Sequence, residues 1–207
     1  MEDARQQALR EALFCEQILA KGGQTVLLET LRDAPSVEMW AHYPPGDVYD
    51  PESRSQWYYH CHDTSADRGE HGHFHCFLRP EGSQGPIHHL VAVGVDAYGR
   101  LVRLFTVNQW VVADDYADAE TLIGLLPKFD VQMPRPSYLV NRWLTAILRL
   151  YEPEIATLIR EREATLAARR SSPDDTAVLE DRTLEVTSEL RTSLQAKSAE
   201  FGLSHSS

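Results

Sequence analysis

Hydrophobic positions change their period along the chain, and each change marks a different kind of element. Between residues 2 and 21, Leu9, Leu13, Cys15, Ile18 and Leu19 recur at helical spacing. Gly22-Gly23 ends that helix, because glycine takes the left-handed conformation at a helix terminus without strain. Thr25 is placed to cap a second short helix carrying Val26, Leu27, Leu28 and Leu31. Residues 34–54 hold Pro35, Pro44, Pro45, Pro51 and Gly46, which predicts an irregular segment with extended stretches. Trp40, His42 and Tyr43 within it predict that it packs against the body of the protein.

The centre of the chain has period two. Gln56–His62, Glu70–Leu78, Ile87–Val95 and Leu101–Val112 read as four strands. Their connecting loops are too short for crossovers, so the strands form an antiparallel meander. Helical spacing returns after Ala113. Asp118–Leu126 is short and stops at Pro127. Ser137–Leu150 places Leu139, Trp143, Ile147 and Leu150 on one face, and Pro153 opens a helix running to about Arg169. Ser171-Ser172-Pro173 breaks the chain. Residues 174–200 are polar with a thin stripe at Val186, Leu190 and Leu194, which predicts a last helix.

The predicted fold is therefore α+β: a four-stranded antiparallel β-meander flanked by N-terminal and C-terminal helices. Residues 1–170 are expected to form one domain with a central histidine-rich sheet over 56–112. Residues 171–207 are expected to be a C-terminal helical extension, able to support a homo-oligomer. The two helices over 137–169 are expected to pack on the valine-rich face of the sheet.

Composition narrows the function. A chain of 207 residues with 43% hydrophobic positions buries a core without disulfide staples. Lys plus Arg is 20 against 31 for Asp plus Glu, a net charge of −11. That balance disfavours nucleic acid and an anionic membrane surface as partners and leaves a small-molecule substrate. There is no apolar run of about 18 residues, and Met1–Gln7 is charged and lacks a signal-like apolar stretch. Cys15, Cys61 and Cys76 cannot form a full disulfide framework. The expectation is a soluble, cytoplasmic protein.

Histidine is where the chemistry lies. Eight of the nine histidines fall between His42 and His89. In Trp57-Tyr58-Tyr59-His60-Cys61-His62, alternation puts His60 and His62 on one face, with Trp57, Tyr59 and Cys61 on the other. In Glu70-His71-Gly72-His73-Phe74-His75-Cys76-Phe77, it puts His71, His73 and His75 together, opposite Phe74 and Cys76. Matching the apolar faces allows two registers. One sets His60 opposite His73 and His62 opposite His71; the other sets His60 opposite His75 and His62 opposite His73. Either brings four imidazoles together, with opposed β-carbons ~4.5–5.5 Å apart. In the third strand, His89 falls in phase with Val91, Val93 and Val95, so His88 is expected on the imidazole side.

Neutral imidazole suits Fe, Cu and Zn, so His60, His62, His71, His73 and His88 are the candidate ligands of a transition metal. Tyr58, Glu70 and His75 are candidate acid-base groups. Asp63, His42 and His89 are possible additions. Cys61 and Cys76 read as small buried hydrophobes. The expected function is a soluble metal-dependent enzyme, more inclined to redox or oxygen chemistry with Fe or Cu than to hydrolysis with Zn. The paired His-x-His strands resemble in geometry the three-histidine sites of cupins and carbonic anhydrases. Separately, His71-Gly72-His73-Phe74-His75-Cys76-Phe77 resembles the histidine-triad motif of nucleotide hydrolases and transferases. That resemblance covers seven residues and implies His73 as nucleophile, oriented by His71 and His75. A third reading is a non-enzymatic metal-binding or sensing protein.

Overall fold

The computed structural model describes residues 2–61, 69–172 and 174–202. Six strands form one open antiparallel sheet in the order β1-β2-β3-β4-β5-β6. They are β1 (Tyr43–Tyr49), β2 (Ser55–His60), β3 (Gly72–Leu78), β4 (His88–Val95), β5 (Leu101–Val107) and β6 (Val186–Arg191). Among the described residues there are seven α-helices: α1 (Glu2–Lys21), α2 (Val26–Thr30), α3 (Gln109–Val112), α4 (Ala119–Leu125), α5 (Tyr138–Leu150), α6 (Glu152–Arg169) and α7 (Leu194–Glu200). None of the described helices is long and apolar enough to cross a membrane.

The four central strands are the predicted meander, and the sheet gains one strand at each edge. β1 forms within the proline-rich segment. An edge strand tolerates prolines, because one side of its backbone has no ladder to satisfy. Its register with β2 slips between Tyr43 and Val48. β6 replaces part of the expected last helix. Val186 and Leu190 are four residues apart, a spacing that fits one face of either a helix or a strand. Pairing with β5 selects the strand: Leu190 faces Leu104, Ser188 faces Thr106, and the Thr106 and Thr187 hydroxyls bond at 2.7 Å. The fourth strand also ends earlier than expected. Asn108 turns the chain and caps α3, its side chain accepting from Gln109 N.

Helix starts follow local chemistry. Thr25, Asp118 and Ser137 each cap a helix with a side-chain oxygen. α5 carries Val140, Trp143, Leu144 and Ile147 into the core, all fully buried. They meet the apolar face of the sheet, where Trp57, Tyr59, Phe74 and Cys76 are fully buried. Trp57 Nε1 donates to Asn141 Oδ1 at 2.9 Å, which satisfies the one polar group that a buried tryptophan brings. α1 packs along α5, and Leu194 of α7 is buried in the same core. The stripe that suggested association thus turns partly inward. α1 and α5 cover one face of the sheet; the histidines lie on the other, where Val111 and Val112 of α3 pack against Ala92 and Phe105.

Candidate metal centre

Register decides which histidines meet. Along β2 and β3, His60 faces His73 and Tyr58 faces His75. This is the first of the two registers allowed by the sequence. Because side chains alternate, His60, His73 and His75 rise from the same side of the sheet. His60 Nε2 lies 2.8 Å from His73 Nε2 and 3.2 Å from His75 Nε2. All three rings are at most 5% exposed.

Proton positions follow from the partners behind the rings. The far nitrogen of His73, Nδ1, faces Glu70 Oε1 at 2.9 Å. Burial alone would raise the Glu70 carboxyl, but hydrogen bonds from His73 and Arg103 outweigh it and hold the group below the usual carboxylate range. An ionised carboxylate only accepts, so Nδ1 of His73 carries the proton and Nε2 presents a lone pair. Nδ1 of His75 faces His89 Nε2 at 3.0 Å. Burial, with smaller contributions from Arg162 and His73, pushes His89 down to about 3, so its ring is neutral and can accept. Donation from His75 Nδ1 to that ring would turn a second lone pair toward His60.

A ring nitrogen has one in-plane lone pair or one N–H, never both. His60 Nε2 therefore cannot bond well to two neighbouring Nε2 atoms at once. A cation between them resolves the conflict. Bonds of about 2.0–2.1 Å at a tetrahedral centre set neighbouring nitrogens about 3.3 Å apart, close to the spacing seen here. His60, His73 and His75 thus form a buried group that can bind a metal ion.

Other predicted residues are placed as follows. His71 precedes the first paired residue of β3, so strand alternation does not bind it. Its Nδ1 meets the Tyr59 hydroxyl at 2.6 Å, away from the cluster, and burial lowers its pKa. His88 was expected on the imidazole side and His89 on the apolar side; the structure exchanges them. Cys76 pairs with Val91 and Phe77 with His89, leaving Leu90 as an extra residue on β4. That bulge reverses the phase of everything before it. His88 Nδ1 faces the Asp115 carbonyl at 2.8 Å, while His89 joins the cluster behind His75. His75 presents its Nε2 3.2 Å from that of His60, within the group that could hold a metal ion. His62 and Asp63 lie outside the described residues.

Tyr58 stands beside the cluster, its ring centroid 5.2 Å from His75 and 5.7 Å from His60. Burial, reinforced by Asp47 and Asp114, raises its phenol, so it keeps its proton at neutral pH. His42 stacks on Tyr58 at 3.6 Å, and its Nδ1 bonds to Asp47. Trp40 meets His60 edge-on at 6.0 Å and is 61% exposed, making an aromatic rim. Phe77 and Phe105 complete the apolar surroundings. Cys76 is fully buried in the core on the other face, its thiol raised by burial, and Cys61 is buried too.

Arg103 went unsuspected. It comes from β5, far in sequence from the histidines, and sits in no motif. It binds Glu70 through Nε and through Nη2, the latter at 3.1 Å.

The family model described as "Domain of unknown function (DUF6969)" matches residues 6–192. No curated protein and no solved structure matches the chain.

Proposed function

The chain belongs to the DUF6969 family, whose description names no chemistry, and we propose from the site itself that it is a metal-dependent enzyme acting on a small molecule. The observation that carries this is the convergence of three buried Nε2 atoms, with Glu70 and His89 behind two of the rings. Supporting partners of this kind fix the tautomer and orientation of metal-binding histidines. His60, His73 and His75 are the ligands. A bound Fe, Cu or Zn ion supplies Lewis-acid or redox chemistry.

The chain's own residues do the remaining work. Glu70 holds the His73 proton at Nδ1. His89 does the same for His75. Tyr58, kept protonated by burial, can donate a proton to an oxygen atom bound near His60 and His75. The aromatic neighbours Tyr58, Phe77 and Phe105 support the reading of redox or oxygen chemistry at Fe or Cu over hydrolysis at Zn, since an apolar shell tunes the redox potential of a bound metal. Two observations weigh against the histidine-triad reading: His71 turns to Tyr59, and His73 Nε2 faces His60 instead of open space.

The test is elemental analysis of untagged protein prepared without chelator, beside His60→Ala and His75→Ala. About one equivalent of a transition metal per chain is expected, lost in both variants. Protein that holds no metal and takes none up on titration would overturn the reading.

A further inference from the structure

The three histidines bring no negative charge to a bound cation, and among the described residues the nearby carboxylates are already engaged. Glu70 touches the cluster, but both of its oxygens are committed. Oε1 accepts from His73 Nδ1 and from Arg103 Nη2, and Oε2 accepts from Arg103 Nε. Asp47 is held by His42 and by Gln56. Asp114 accepts from the His89 backbone N–H and feels the charge of Arg162.

This arrangement is built into the sheet. His60, His73, Gly94 and Arg103 stand in one row across β2, β3, β4 and β5. A β-carbon at Gly94 would lie 2.5 Å from Glu70 Oε2 and 2.9 Å from Arg103 Cγ. The glycine therefore makes the seat on which the carboxylate meets the guanidinium; glycine inside a strand marks such a close approach. Arg103 lies 4.0 Å over the Phe105 ring, which also meets His73 edge-on. Its remaining partner, Glu189, is half-exposed at the sheet edge, where solvent screens it.

A divalent ion at this site would keep its charge in a buried place, which is costly unless an opposite charge joins it. Resting on the metal reading above, we propose that an ion held by His60, His73 and His75 takes a small anion as a further ligand, either hydroxide or the carboxylate or oxyanion group of a substrate. Arg103, by neutralising Glu70, keeps the ion electropositive enough to hold that anion.

The experiment loads the whole protein with Co(II), measures stoichiometry, and then titrates azide, with acetate as the carboxylate probe, following visible absorption. Both anions should give saturable spectral changes in the wild type. Arg103→Met should still load but bind azide roughly tenfold more weakly, because Glu70 is left uncompensated. Arg103→Lys should restore most of the affinity. Glu70→Gln should bind azide more tightly; simple structural damage would weaken binding in both Arg103→Met and Glu70→Gln. Arg160→Met, on the exposed face of α6, should leave azide binding unchanged. A fully loaded wild type without an azide response would mean that the site is closed, and would overturn the proposal. Unchanged azide affinity in Arg103→Met would overturn the role of Arg103. Failure to load Co(II) appears in the stoichiometry, before azide is added, and defeats the metal reading together with this one.

Discussion

The position of one proton decides whether His73 is a ligand. Held on Nδ1 by Glu70 at 2.9 Å, it leaves the Nε2 lone pair facing His60. Glu70→Leu should weaken metal binding roughly 10- to 100-fold in a chelator competition. Glu70→Gln should cost less, because its amide oxygen still accepts from Nδ1. Equal affinity in the wild type and Glu70→Leu would remove the tautomer argument. Asp114 offers a test of pH dependence. Burial raises its carboxyl from 3.8 to about 6, against the pull of the His89 N–H and Arg162. The folded state then binds a proton more readily than the unfolded one, so this residue's contribution declines as pH rises through about 4 to 6. Asp114→Asn should therefore gain several degrees in Tm over the wild type at pH 7.5 and lose that advantage at pH 3.5. A gain independent of pH would show that the ionisation plays no part. Period-two alternation sets His60, His73 and His75 on one face, since it holds wherever strands are paired, but it does not separate them from His62 and His71. It misplaces His71, which lies one residue before β3 begins. It offers no hint of Arg103, because a guanidinium on another strand leaves no spacing to read.

At the scale of elements, what could be read is what local chemistry determines. The helix starts at Thr25, Asp118 and Ser137 are legible because a hydroxyl or carboxylate satisfies an unpaired N–H there. The exchange of His88 and His89 is not legible. The bulge at Leu90 depends on how β4 fits β3, and a one-residue slip moves a side chain to the other face. Gly94 could have drawn attention, as a glycine inside a valine-rich strand. Two glycines make a matched test. Gly94→Ala puts a β-carbon into Glu70 and Arg103, while Gly124 in α4 has nothing within 4 Å. Gly124→Ala should stabilise the protein by about 0.5–1 kcal/mol, the helix preference of alanine over glycine. Gly94→Ala should lower both the Tm and the metal affinity, the second because Glu70 is displaced from His73. Calorimetry and metal titration on the pair separate these effects. Full metal affinity in Gly94→Ala would show that the seat is unnecessary.

At the scale of the molecule, the sheet is completed by residues distant in the chain. β6 closes one edge of the meander, and its contacts reach toward the site: Glu189 bonds to Arg103 Nη1 at 3.0 Å, beside the guanidinium's grip on Glu70. The Ser188 hydroxyl donates to the Leu158 carbonyl and the Thr165 hydroxyl to the Thr187 carbonyl, tying β6 to α6. α7 follows, with Lys197 buried against Glu154 and Leu194 in the core. A reading of 171–207 as an appended helix misses this, because only the β5 ladder distinguishes a strand from a helix in so polar a segment. We expect truncation after Arg170 to leave the β5 edge open over Leu104 and Thr106. An uncovered edge pairs with other chains. The truncated protein should lose its cooperative thermal transition and associate at micromolar concentration in sedimentation. A monomer with the full-length Tm would instead make the C-terminal segment a separable appendage. Loss of cooperativity would place the support of the histidine face in the whole sheet, with its far edge supplied by the end of the chain.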